Sequence, residues 1–164
     1  MIILDTNVLS ALMRDAPDQR VVAWLDGQAA NSTWITSVTV FEIRFGLALL
    51  PDGRRRRALE HAFEELLADD LGGCILSFDA PVAVQAASLA ASGQREGGIV
   101  DIRDTQIAGI ALARRASIAT RYLRHFGGLT VPVITHWERN PPRLSNRGSG
   151  RSDLRSASTS AQFP

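Results

Sequence analysis

The chain of 164 residues opens with MIILDTNVLS at positions 1–10. Ile2, Ile3 and Leu4 form a short apolar run rich in β-branched side chains, which predicts a strand buried on both faces. Asp5 follows directly and therefore stands at the carboxyl end of this strand, where the functional cleft of an open α/β sheet lies. Asp5 either caps the next helix or binds a hard divalent cation. Taken alone, these residues favour the cap.

Apolar runs and helical periodicities alternate along the rest of the chain. The predicted strands cover residues 2–4, 34–36, 75–78, 117–120 and 131–134. The predicted helices cover residues 8–13, 21–26, 37 or 39 to 50, 54–67, 81–92 and 101–115, with a loop at 94–98. Such alternation is typical of a parallel sheet covered by helices on both faces. We therefore expect a three-layer α/β/α domain over residues 1–138, with a central parallel sheet of about five strands.

Charge separates this domain from the last segment of the chain. All eighteen basic residues are arginine, and the net charge is +1. Residues 1–138 carry thirteen arginines and sixteen acids, whereas residues 139–164 carry five arginines and one aspartate. The second segment is rich in serine and too poor in apolar residues to form a core. We expect it to be a basic, disordered tail.

The composition also indicates a compartment. A single cysteine, Cys74, cannot form an intramolecular disulfide, which favours the reducing cytoplasm. No apolar stretch approaches the length that spans a bilayer, and the N-terminus lacks the basic flank of a signal peptide. The three histidines show no zinc-ligand spacing. We expect a cytoplasmic protein that does not contact membranes.

Three carboxylates occupy comparable positions in the predicted fold. Asp5 follows the first strand, Glu42 lies near the start of the helix after the second, and Asp104 lies in the first turn of the helix before the fourth. With crossovers of one hand, all three can meet at one edge of the sheet. Clustered carboxylates repel each other, and a hard cation such as Mg²⁺ relieves that repulsion. Mg²⁺ held in this way suits the cleavage of phosphodiesters.

Each of these acids also has a purely structural explanation. Thr39 and Glu42 match a capping box, in which Glu42 returns to the backbone of the cap residue. Asp101 has the position of a helix cap, with Asp104 favoured near the positive end of the same helix. For each residue alone we favour capping. For the three acids together we favour a shared metal site.

Five segments resemble those of a known family, the PIN domain. They are ILDTNVL (3–9), VTVFEIRFG (38–46), DIRDTQIA (101–108), IATR (118–121) and VITHWE (133–138). The similarity spans about residues 1–138 and is greatest to the VapC and FitB toxins of bacterial toxin–antitoxin pairs. It implies an endoribonuclease that uses Mg²⁺ or Mn²⁺ and is neutralised by a small DNA-binding antitoxin of the VapB/FitA type. It also implies a homodimer with RNA as its substrate.

The resemblance assigns roles to individual residues. It makes Asp5, Glu42 and Asp104 the catalytic, metal-centred acids. Thr6 matches the hydroxyl beside the first aspartate, and Asp101 matches an additional acid before the third motif, which we interpret as a cap first and a helper second.

Two neighbouring residues beyond the predicted fourth strand complete the candidate site. We expect Arg121 to position the RNA strand through its phosphates. Relatives tend to carry Asn or Asp at the next position as a fourth polar member, whereas this chain has Tyr122. A phenol is a poorer ligand for Mg²⁺. Tyr122 therefore leaves open a second hypothesis, a catalytically weak module that binds RNA or antitoxin.

Two other enzyme classes fit the chain less well. A haloacid-dehalogenase-type phosphatase also begins with an aspartate after a strand, but it needs a second aspartate two residues later, where this chain has Asn7. A dinucleotide-binding fold needs a glycine-rich turn after the first strand, and Thr6 and Asn7 stand there instead.

Overall fold

Five parallel strands form the centre of the computed structural model, which describes residues 1–14, 16–29, 31–98, 101–126 and 131–135. The strands are β1 (Ile2–Leu4), β2 (Thr33–Thr36), β3 (Ile75–Leu76), β4 (Ser117–Ala119) and β5 (Val133–Ile134). Their order is β3-β2-β1-β4-β5, and every neighbouring pair is parallel. Because β1 lies in the middle, its carboxyl end opens onto the centre of the sheet edge.

Helices connect the strands and cover the sheet. They are α1 (Thr6–Leu12), α2 (Gln19–Asp26), α3 (Ser37–Ala48), α4 (Arg54–Glu65), α5 (Ala80–Arg95), α6 (Ile102–Arg114) and α7 (Leu123–Phe126), and a π-helical turn at Leu66–Asp70 extends α4. Side chains of Asp18, Thr36, Asp79 and Asp101 accept hydrogen bonds from the first turns of α2, α3, α5 and α6. These caps satisfy backbone N–H groups that have no partner inside a helix.

Successive residues of the central strands point to opposite faces of the sheet. Ile3 and Ile118 belong to a core on one face, with Val38, Ile107 and Ile110. Leu4 and Ala119, the next residue of each strand, belong to a second core on the other face, with Val8, Leu9 and Phe63. The sheet is therefore covered on both faces, which confirms the predicted three-layer α/β/α fold.

Several boundaries differ from the sequence-based prediction. Strand β3 ends at Leu76 rather than residue 78, because the N–H of Phe78 donates to Ser37 Oγ at 3.1 Å instead of to a strand. Helix α5 continues to Arg95, so the first part of the predicted loop at 94–98 is helical. Helix α3 ends at Ala48 rather than residue 50. The short helix α7 was not predicted.

Two expectations concern other parts of the chain. The predicted tail at 139–164 and the last three residues of the fifth motif lie outside the described residues. Among the ranges that the structure does describe, no helix combines the length and apolarity that crossing a bilayer requires.

Helices α5 and α6 pack with their backbones in close approach. A Cβ built on Gly109 of α6 would lie 2.7 Å from Cβ of Ala86 and 3.0 Å from its Cα. Both atoms belong to the rigid part of α5, so a side chain at position 109 would force the helices apart. The packing of α6 against α5 matters for the site, because the first turn of α6 contains Asp104.

We expect Gly109→Ala to lower the free energy of unfolding by about 1–3 kcal/mol, the usual cost of overpacking a core. Gly46→Ala is the matched control, because no atom lies within 4 Å of the Cβ it would add to α3. It should stabilise the protein by about 0.5–1 kcal/mol, since glycine is unfavourable inside a helix. Urea denaturation of both variants measures the difference. A Gly109→Ala protein as stable as the wild type would contradict the close approach.

Candidate functional site

A cleft of about 350 Å³ opens at the carboxyl edge of the sheet. Its walls come from the end of β1, the start of α1, the second turn of α3, the start of α6 and the segment after β4. The lining residues are Asp5, Thr6, Asn7, Ser10, Arg14, Glu42, Asp101, Arg103, Asp104, Arg121 and Tyr122. The cleft thus brings together every site residue that the sequence predicted, from five separate segments of the chain.

Asp5 lies at the base of this cleft and is only 4 % exposed. Its Oδ1 accepts a hydrogen bond from the N–H of Thr6 at 2.7 Å, which confirms the helix cap. Its Oδ2 accepts one from Thr120 Oγ1 at 2.7 Å and another from Asn7 Nδ2. These three donors compensate for the burial of a carboxylate. The cap and a role in the cleft are therefore compatible.

Asn7 and Thr120 support the site, although they were not predicted as site residues. Asn7 Nδ2 also donates to Thr120 Oγ1 at 3.1 Å, and Asn7 Oδ1 accepts from the N–H of Arg121 at 3.0 Å. Asn7 thereby ties the start of α1 to the end of β4. The available signal in the sequence is a polar residue, Asn7, two positions after Asp5.

Glu42 is held by two partners from distant parts of the sequence. Thr6 Oγ1 donates to its Oε2 at 2.5 Å, and Arg103 Nη1 lies 3.3 Å from its Oε1. The predicted capping box with Thr39 is wrong, because Thr36 caps α3 and accepts from the N–H of Thr39 at 3.0 Å. Glu42 lies one turn further along the helix and points into the cleft.

The first turn of α6 provides two more acids. Asp101 caps the helix, as predicted, and its Oδ1 accepts from the N–H groups of Arg103 at 2.8 Å and Asp104 at 3.4 Å. Partial burial acts to raise the pKa of Asp101, but these hydrogen bonds and the charge of Arg103 together hold it below the usual value. This cap therefore stabilises the fold at neutral pH and is lost as the pH falls through that lowered pKa.

The donor set of the cleft suits a hard cation. Its carboxylates and hydroxyls are oxygen ligands, which Mg²⁺ and Mn²⁺ prefer. Within the described ranges, however, no three side chains of His, Cys, Asp or Glu lie close enough together to form a metal-binding group. Four carboxylates share the cleft with three arginines, Arg14, Arg103 and Arg121. The oxygen ligands of the cleft are of the kind that these cations prefer, while the arginines already balance part of the negative charge of the carboxylates.

Arg121 and Tyr122 lie at the rim. The N–H of Tyr122 donates to Thr120 Oγ1 at 3.1 Å, and its side chain lines the cleft while remaining 47 % exposed. The phenol thus lies near the acids, at the place where the resemblance leads us to expect Asn or Asp. Arg14 and Ser10 complete the wall, and no sequence pattern had singled them out.

A second cavity of about 440 Å³, called the apolar groove because most of its lining is apolar, lies between α1, α2 and α4. Asp26, Thr33 and Glu65 also line it. Leu9, Leu12 and Met13 line it from α1, Val22 and Leu25 from α2, and Ala62 from α4. The sequence does not predict this groove, since each helix by itself shows only an ordinary amphipathic pattern.

Comparison with known proteins agrees with the resemblance. The PIN domain matches residues 2–122. The chain is 36 % identical over 138 residues to the VapC ribonuclease Y4jK of Sinorhizobium fredii, which covers 84 % of this chain and 99 % of the relative. It is also 36 % identical over 137 residues to the toxin FitB of Neisseria gonorrhoeae, with the same coverage.

Solved structures give the same result. The structure of FitAB bound to an IR36 DNA fragment superposes with a TM-score of 0.77 at 34 % identity, over 87 % of this chain and 99 % of the other. Sequence and fold therefore point to one family.

We expect Tyr122→Asp to tighten the binding of Mn²⁺ at least about fivefold, because a carboxylate at the rim adds attraction for a cation. Tyr122→Phe is the control and should leave the affinity unchanged, because it removes only a weak ligand. Calorimetric titration of Mn²⁺ into the folded variants measures both. Equal or weaker affinity in Tyr122→Asp would mean that the position does not act on the metal.

Proposed function

The chain belongs to the PIN-domain family, and we propose that it is the toxin of a toxin–antitoxin pair, a divalent-metal-dependent endoribonuclease that hydrolyses RNA phosphodiester bonds. The observation that carries this proposal is the convergence of Asp5, Glu42 and Asp104 in one cleft. The similarity to a VapC ribonuclease and to the FitB toxin over almost their entire lengths supports it.

Several residues of the cleft have a part in the proposed reaction. Asp5, Glu42 and Asp104 would hold Mg²⁺ or Mn²⁺. When bound, such a cation lowers the pKa of a water molecule and stabilises the charge that develops on the phosphate. Thr6 orients Glu42 through its hydroxyl. Asn7 and Thr120 hold the orientation of Asp5, whose burial keeps its geometry fixed.

The arginines at the rim would bind the RNA backbone. Arg14, which follows α1, and Arg121, which follows β4, both line the cleft and bring positive charge to it. Contacts from arginine to phosphate fix the position of a strand without reading its sequence. Asp101 acts mainly as the cap of α6, and through this cap it holds Asp104 in the cleft.

The alternative is a catalytically weak PIN module that binds RNA or antitoxin. Tyr122 favours it, because the phenol replaces the expected fourth polar ligand, and so does the contact of Arg103 with Glu42. Cleavage of pooled cellular RNA with Mg²⁺, against an EDTA control, distinguishes the two functions. Cleavage that EDTA abolishes supports the enzyme, and binding without cleavage supports the module.

The partner of the proposed toxin is a small DNA-binding antitoxin of the VapB/FitA type. The apolar groove between α1, α2 and α4 is the surface that suits it, because an amphipathic segment binds by laying its apolar face into such a groove. The similarity to a solved structure of FitAB bound to DNA supports an antitoxin as the partner. A homodimer in the cytoplasm remains part of the proposal.

We expect Asp5→Asn and Asp104→Asn each to reduce metal-dependent RNA cleavage at least about a hundredfold, because each removes a charged metal ligand. Circular dichroism should show that both variants remain folded. Asp52→Asn is the control, since Asp52 is a surface acid that pairs with Arg56 at 3.0 Å and does not line the cleft. Undiminished cleavage by either cleft variant, in protein free of contaminating nuclease, would refute the metal assignment.

We also expect Val22→Glu to abolish co-purification with the product of a short reading frame adjacent to this gene, because a buried unpaired charge in the groove is costly. Val84→Glu places the same charge on α5, where Val84 is 65 % exposed, and should co-purify normally. Both variants are compared by their melting temperatures to establish that they fold. Normal co-purification of Val22→Glu would move the antitoxin to another surface.

A further inference from the structure

Arg103 occupies a position between two carboxylates of the cleft. Its Nη1 lies 3.3 Å from Glu42 Oε1, and its Nη2 lies 3.6 Å from Asp101 Oδ2. The other oxygen of Glu42, Oε2, accepts the hydrogen bond from Thr6. Both oxygens of Glu42 are therefore engaged, one by a neutral hydroxyl and the other by a cation from α6.

The two contacts of Glu42 have different effects on the binding of a divalent cation. A hydroxyl that donates to Oε2 is compatible with metal binding through Oε1. A guanidinium at Oε1 is not, because two cations at one oxygen repel each other. The Arg103 side chain is 50 % exposed, and ion pairs with this much solvent contact are weak. The pair is therefore one that a divalent cation can displace at small cost.

We propose that Arg103 is a positioning residue that serves as the displaceable counter-ion of Glu42 and competes with the divalent cation for Oε1. This inference rests on the proposed function, in which Glu42 is a metal ligand. While paired, Arg103 neutralises Glu42 and keeps its carboxylate turned toward α6. The protein consequently binds divalent cations more weakly than its four cleft carboxylates alone would.

The test compares three arginine-to-glutamine variants in calorimetric titrations with Mn²⁺. Arg103→Gln removes the competitor and should tighten Mn²⁺ binding about two- to fivefold, the range that an exposed ion pair accounts for. Arg121→Gln removes the same charge from the same cleft and measures the general electrostatic effect, which should be smaller. Arg114→Gln lies at the other end of α6, where Arg114 pairs with Asp79 at 3.3 Å and is 42 % exposed. It should leave the affinity unchanged.

Thermal unfolding in EDTA gives a second, independent measurement. Because Arg103 relieves the repulsion between Glu42 and Asp101, Arg103→Gln should melt about 2–4 °C lower than the wild type in EDTA. The same variant should show a larger rise in melting temperature on adding Mn²⁺. A merely structural role would lower the melting temperature and weaken Mn²⁺ binding together. Only the loss of a counter-ion lowers the melting temperature in EDTA and at the same time strengthens the binding of Mn²⁺.

The outcomes separate this inference from the proposed function. If the wild type binds Mn²⁺ and cleaves RNA, but Arg103→Gln binds Mn²⁺ no more tightly than Arg121→Gln, then Arg103 is not the counter-ion and the ribonuclease proposal stands. If Arg103→Gln binds Mn²⁺ measurably and the wild type does not, Arg103 competes with Mn²⁺ for Glu42 more strongly than expected, and the inference holds. If neither protein binds Mn²⁺, both proposals fail.

Discussion

The hydrogen bonds to the Asp5 carboxylate connect the sheet to the cleft. This side chain is buried at the end of the central strand, and it is tolerated there only because it receives donors from α1 and from the end of β4. Thr120, which donates from the residue directly after β4, has no exposed surface. The same bonds that satisfy Asp5 therefore link the end of β1 to the start of α1 and to the segment after β4. A change in any of them would displace the base of the cleft.

The cleft itself is governed by the balance of its charges. Four carboxylates within about 350 Å³ would repel each other strongly, and the protein offsets this with arginines in the same walls. Arg103 contacts two of the acids. The charge of Arg121 also acts on Asp18, whose pKa is lowered to about 2, chiefly by hydrogen bonds from Arg20 and to a smaller extent by Arg121. Arginine thus offsets acidic charge both in the cleft and at Asp18.

The sequence predicted most of the fold because the fold follows local patterns. A short apolar run predicts strand β1, and a 3.6-residue periodicity predicts helix α6. The parallel topology then predicts that Asp5 and Asp104 lie at the same edge of the sheet. The prediction failed where a contact joins distant segments. The capping box at Thr39 and Glu42 is locally plausible, but Thr6, 36 residues away, competes for the same carboxylate. The apolar groove was missed for the same reason, since it exists only after α1, α2 and α4 pack together.

Arg103 changes the charge of the cleft in a way that its position in the sequence does not reveal. An arginine directly before Asp104 looks unremarkable in sequence, because the first turn of a helix accepts almost any polar residue. Its effect arises from the distance to Glu42, which lies on a different helix. Tyr122 also makes the cleft less negative than it would be with an aspartate at this position, because the phenol is neutral. Both residues lower the negative potential of the cleft, so they reduce its attraction for a divalent cation while they favour the approach of a phosphate backbone. Under the proposed function, a site with this balance would bind its metal more tightly once the anionic RNA strand is present, since the substrate would then supply the negative charge that the protein lacks.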